Sequence, residues 1–135
     1  MAFEEITDDI EKLSPRGAGV IGMTAGAATL AGQVVKVTDS NEVSPSDTDG
    51  EETFGVVAQS VETGSEAAVC GPGTIAQVRA SDATGPGFVT SNGATGEEGE
   101  VTGAGTGDYI IGILLDDLGA GDYGQMFVLP SGQVN

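Results

Sequence analysis

The sequence predicts an all-β fold: a small barrel or sandwich of short antiparallel strands, with an internal pseudo-repeat and a short N-terminal helical arm. Three observations predict it. Valine dominates the apolar set, supplying 14 of the 31 Leu, Ile, Val and Phe residues, and branching at Cβ suits a pleated surface better than a helix. The 23 glycines and 5 prolines are spread along the whole chain as turn punctuation. Short apolar runs alternate with turn clusters at the spacing of a sandwich or barrel. For 135 residues the economical division is an arm over 1–16 and a single β domain over 17–135, long enough to bury roughly two-thirds of its unfolded surface.

The arm comes first. Phe3, Ile6, Ile10 and Leu13 are spaced by three, four and three, which places them on one face of a helix. Glu4, Glu5, Asp8 and Asp9 crowd its start while Lys12 and Arg16 stand at its end, complementing the helix dipole. Pro15 and Gly17 stop it. So short a helix is marginal alone, so its stripe must pack on something, either its own domain or a neighbouring subunit. These four residues are the candidate partner-binding set.

Strands are then expected at 18–25, 33–38, 54–61, 66–70, 74–79, 87–90, 109–115 and 124–129. Between them stand turn clusters such as "TDSNEVSPSDTDGEE", "CGPG", "TSNGATGEEGE" and "LGAGD". A repeat joins two of these regions. "GVVAQSVETGSEAAVC" from Gly55 and "GILLDDLGAGDYGQMF" from Gly112 align at one offset of 57 residues. Val56, Val57 and Val61 meet Ile113, Leu114 and Leu118; Gly64 meets Gly121, and Val69 meets Met126. Upstream, "AGQVVKV" at 31–37 and "GPGFVT" at 85–90 correspond loosely. Two copies make a pseudo-symmetric domain rather than a solenoid.

Charge narrows the function. There are 21 acidic residues against 4 basic ones and no histidine, a formal net charge of −17. Such a surface repels itself in dilute buffer. At molar salt, where the Debye length is roughly 3 Å, the repulsion is screened. That balance is the one found in proteins of extreme halophiles. Phosphate neutralisation needs clustered Lys or Arg, which excludes nucleic acid, and anionic membranes are disfavoured for the same reason. No apolar run approaches the ~20 residues of a membrane span, and the acidic start is unlike a signal peptide.

Three motifs invite chemistry, and none sustains it. "GAGVIG" at 17–22 has the glycine spacing of a dinucleotide fingerprint, with Asp39 downstream. That fingerprint requires a strand before the first glycine and a helix after it. "EKLSPR" and "MTAGAATLAGQ" supply neither, so no cofactor is expected. "DTDGEE" at 47–52 fails as an EF-hand because Pro45 and Val56 fall where terminal carboxylates belong. A looser cation site of Asp47, Asp49, Glu51 and Glu52 competes there with a solvated acidic loop. Without histidine there is no Ser–His or Cys–His pair and no imidazole metal site. Cys70, the single cysteine, has no basic neighbour and reads as a small buried hydrophobe. No enzyme is expected.

"AGAATLAGQVVKVTDSNEV" at 25–43, followed by "TFGVVAQSVETGSEAAVCGPGTIAQV" at 53–78, resembles the small capsid decoration, or cement, proteins of tailed viruses. The matching pieces are Ala31, Gly32 and Val35; Gly55, Val56 and Val57; and Gly64, Glu66 and Val69. "IIGILLDDLGAGDYGQMFVL" resembles the closing strand pair of that family. The resemblance implies a β module, commonly a homotrimer, on the outer capsid surface of the virion, where it braces neighbouring major capsid protein subunits. Combined with the charge, it implies a virus of a halophilic archaeon. The N-terminal stripe has no place in the family's pattern and is expected to anchor the protein to the shell or clasp an adjacent protomer. The competing readings are a host-attachment or ligand-binding β module, and a cation-dependent extracellular domain of a halophile.

Overall fold

Successive side chains of a strand point to opposite faces, so the doublets Val34–Val35, Val56–Val57 and Val69–Cys70 need apolar cover on both sides. The computed structural model, which describes residues 19–130 and 134, shows how they obtain it. The expected arm, with Phe3, Ile6, Ile10 and Leu13, lies outside the described residues.

The described residues form ten strands: β1 (Val20–Ala25), β2 (Val34–Asp39), β3 (Glu42–Pro45), β4 (Gly55–Val57), β5 (Glu66–Cys70), β6 (Ile75–Arg79), β7 (Gly87–Asn92), β8 (Glu100–Gly103), β9 (Gly112–Leu114) and β10 (Tyr123–Val128). The first five close into a barrel in the order β1-β3-β2-β4-β5, and the last five form a sheet in the order β6-β10-β9-β7-β8. Antiparallel pairing was expected throughout, but β1 runs parallel to β3, with Thr24 opposite Glu42 and Ala25 opposite Val43. That parallel pair is what closes the barrel.

The repeat extends further than the alignment at one offset suggested. β1 through β5 correspond in order and pairing to β6 through β10. Val57 faces Val69 in the barrel, and Leu114 faces Met126 in the sheet. The bridge Thr29–Val61 recurs as Thr84–Leu118. The Gly64 and Gly121 N–H groups donate to the Ala25 and Ala80 carbonyls at 2.7 and 2.8 Å. Both glycines have positive φ, +86° and +81°, a conformation that costs glycine little. Even the parallel closure has its counterpart, a single parallel bridge between Ala80 and Val101.

β3 and β8 are the two strands the sequence reading did not expect, β3 lying inside a turn cluster and β8 starting at the end of one. Each is four residues long with one fully buried valine, Val43 or Val101, so no period-two alternation develops. Two other elements are shorter than expected. The 54–61 run is a strand only over Gly55–Val57, and the 109–115 run only over Gly112–Leu114.

Two cores result. Met23, Ala25, Val35, Val43, Val57, Ala67 and Val69 fill the barrel. Their counterparts Val78, Ala80, Val89, Val101, Leu114 and Met126 line the second core. Into that second core the barrel sends the other member of each doublet, Val34, Val56 and Cys70. The barrel's outer face thus plugs the second sheet, and the doublets of β2, β4 and β5 are buried on both faces. At about 1.5–3 kcal/mol per buried side chain of this size, these doublets join the units firmly. Close approach also explains the aligned glycines: a Cβ on Gly55 would stand 2.3 Å from the Cys70 carbonyl oxygen, and one on Gly112 2.6 Å from that of Phe127.

Candidate functional surface

The acidic stretch 47–52 exposes Asp47, Asp49 and Glu52 to solvent, and it is also a joint held by local hydrogen bonds. One oxygen of Glu51 accepts from the Ser46 hydroxyl at 2.8 Å and from the backbone N–H groups of Asp47 and Thr48 at 2.9 and 3.0 Å. Its other oxygen meets Lys36 at 3.2 Å. Lys36 also pairs with Asp47. The hydrogen bond from Lys36, followed by its charge, holds the Asp47 carboxyl below its ordinary range. The same bond to Asp47 raises the Lys36 ammonium, against the opposing effect of its partial burial. Asp49 accepts the Gly93 N–H at 2.8 Å.

This joint ties the two units by backbone. Gly50 N–H donates to the Ser91 carbonyl and Tyr109 N–H to that of Gly50, both at 3.0 Å. Val34 N–H reaches the Gly99 carbonyl at 2.8 Å, and Gly99 N–H that of Ser46 at 2.9 Å. The four carboxylates proposed as a loose cation site are not gathered on a common centre. Asp47 and Glu51 turn to Lys36 while Asp49 turns to Gly93. Among the described residues, no group of three or more Asp, Glu, Cys or His could hold a metal ion.

A second charged cluster lies where β6 approaches β8. Arg79 meets Glu100 at 3.3 Å, donates through Nε to the Gly121 carbonyl at 3.1 Å and lies 5.8 Å from the Tyr123 ring centroid. Burial pushes the Glu100 carboxyl up, with Arg79 opposing the shift. The adjoining cavity, lined in part by Leu30, Gln33, Arg79, Glu98 and Tyr123, is about 80 Å³. It is too small for a metabolite, since ligand pockets run to roughly 300–1,000 Å³. The cluster locks an edge; nothing in it is a nucleophile activated by a base.

The remaining feature is apolar. Across the outer face of the second sheet, Ile75 stands opposite Phe127, Phe127 opposite Ile113, and Ile113 opposite Phe88. Phe88 is 55 % exposed and Ile75 36 %; Ile113 and Phe127 are half-buried. The same register in the barrel reads Val20, Cys70, Val56 and Val34, of which the last three are buried against the second sheet. The first unit therefore hides the row that the second unit displays. The sequence reading missed this surface. Its signal lay in the repeat itself, where Val34, Val56 and Cys70 become the larger Phe88, Ile113 and Phe127.

No protein-family model and no curated protein matches the sequence. The structure does have a neighbour: the crystal structure of the head fiber gp8.5 N base in bacteriophage phi29 superposes with a TM-score of 0.65, covering 83 % of this chain and 94 % of that one at 14 % identity. The two share a fold. At that identity the likeness is one of architecture, and it takes in nearly the whole of the phi29 head fiber base.

Proposed function

We propose that this protein is a structural component of the outside of a tailed-virus head, a decoration protein that bridges neighbouring major capsid protein subunits. The observation that carries the reading is the fold shared with the phi29 head fiber base across 94 % of that chain. The construction agrees with a load-carrying role. Barrel and sheet are interlocked by buried valines and by backbone hydrogen bonds across the joint, and the charged side chains described above are engaged in holding loops and edges. Residues 17–135 act as a single β domain behind the arm at 1–16, and the particle is a homotrimer in which each copy offers the same contact patch, as closed symmetry requires. Weak contacts at several points then add through effective concentration.

The net charge of −17 supports a host living in brine, where screening removes the self-repulsion of so anionic a coat. The test is sedimentation of the full chain with heads of the encoding virus stripped of it, at roughly 2–3 M salt, where the Debye length is below about 3 Å. Saturable co-sedimentation supports the reading. Protein left wholly in the supernatant overturns it.

A further inference from the structure

We infer that the apolar row Ile75–Phe127–Ile113–Phe88 is the seat of the chain's own N-terminal segment, which covers it with the stripe Phe3, Ile6, Ile10 and Leu13. This goes beyond the proposed function and does not depend on it.

The row is a surface made for cover. Its four residues are directly opposed across four neighbouring strands, so they form one continuous band instead of scattered exposed side chains. Single exposed hydrophobics are ordinary, whereas a contiguous band marks a contact site. The pseudo-repeat states the same thing structurally: the equivalent band of the barrel is an interface already, buried in the second core. A second copy cannot cover the exposed band in that same way. The band would have to enter an open sheet, and the open sheet of every copy is already filled by its own barrel.

Where the chain emerges names the occupant. The described residues begin at Gly19, whose carbonyl accepts the Gly71 N–H at 2.7 Å and whose Cα faces the Thr74 methyl, with 2.9 Å from an added Cβ to that carbon. Thr74 is followed at once by Ile75, the first residue of the band. Val20 and Ile75 line one groove of about 490 Å³, with Gln59 and Gln77 among its other walls, so the point of emergence and the first residue of the band share a groove. Residues 14–18 connect Leu13 to that point.

The lengths agree. Four strands spaced by about 4.8 Å make a band roughly 14 Å across. Helical rise from Phe3 to Leu13 is about 15 Å. Laid across the strands, the segment places Leu13 at Ile75, Ile10 at Phe127, Ile6 at Ile113 and Phe3 at Phe88. Its acidic residues, Glu4, Glu5, Asp8 and Asp9, are not part of the stripe's three-and-four spacing.

The test pairs Ile6→Cys with Ile113→Cys in the full chain, oxidised at low protein concentration in molar salt. A control pairs Ile6→Cys with Val37→Cys, an exposed position on β2. The buried Cys70 is retained in both. An intrachain disulfide well above the control supports the inference. Interchain dimers would assign the segment to a second copy, and crosslinking no better than the control would leave it off the band; either result overturns the inference. Trypsin gives an independent reading, because Lys12 and Arg16 are two of only four basic residues. Cleavage by the open population tracks the docking equilibrium, so Phe88→Ser should speed cutting after Lys12 by about tenfold. An unchanged rate contradicts the assignment.

Discussion

Ala80, just past the end of β6, and Val101 of β8 face each other in an isolated parallel bridge. Ser81 N–H extends it, donating to the Val101 carbonyl at 3.0 Å. In the barrel the corresponding residues, Ala25 and Val43, belong to a true parallel strand pair. The second sheet is thus the same barrel held open, with the first unit's valines inserted where closure would have been. Val101 is fully buried, and Val101→Ala should cost about 2 kcal/mol through the cavity it leaves. Urea unfolding checks this: the midpoint should fall with little change in slope.

Gly55 and Gly112 occupy the same place in the two units, each with a neighbouring carbonyl oxygen where a Cβ would go. Gly55→Ala and Gly112→Ala should each destabilise by about 3 kcal/mol, because the obstruction is backbone and cannot rotate away. Gly85→Ala, where the nearest atom is a side-chain oxygen 3.9 Å away, should leave the thermal midpoint nearly unchanged.

The joint at 46–52 depends on Glu51. Glu51→Ala strips the acceptor from the Ser46 hydroxyl and from two backbone N–H groups, and a loss of about 1–2 kcal/mol is expected. The Lys36–Asp47 pair adds a pH dependence of known sign. Asp47 is held below its ordinary 3.8, so its contribution is present above that value and fades as acid titrates the folded carboxyl. Lys36 is held above its ordinary 10.5, so its contribution is complete below that value and disappears as pH rises through the folded value. Lys36→Met should flatten both ends of the stability profile.

Glu100 works in the opposite sense. Burial raises its carboxyl above the ordinary 4.5, so the folded state holds the proton more tightly than the unfolded one. Its contribution is greatest below 4.5, falls as pH climbs from there through the folded value, and is constant beyond it. Glu100→Gln should remove that decline, seen as a chemical-denaturation profile flatter than wild type just above pH 4.5.

Much of this architecture was legible in the residues, and for identifiable reasons. The valine doublets and aligned glycines signal strands and a repeat because burial and close approach permit few other residue types there. β3 and β8 were not legible, since Val43 and Val101 are single apolar residues in polar surroundings and derive their burial from partners distant in sequence. The local order of the acidic loop was not legible, because charge alone does not reveal that Glu51 faces three local donors and Lys36. The exposed band was encoded in the repeat, yet only the pairing of β6, β10, β9 and β7 shows that Ile75, Phe127, Ile113 and Phe88 lie side by side.

The most direct measurement of the proposed role is quantitative mass spectrometry of purified virions of the virus that the proposal implies, comparing this chain with the major capsid protein. The account expects the chain in every filled particle at a fixed ratio that survives gradient purification at high salt. Its absence from virions, with the protein present only in infected cells, would contradict it.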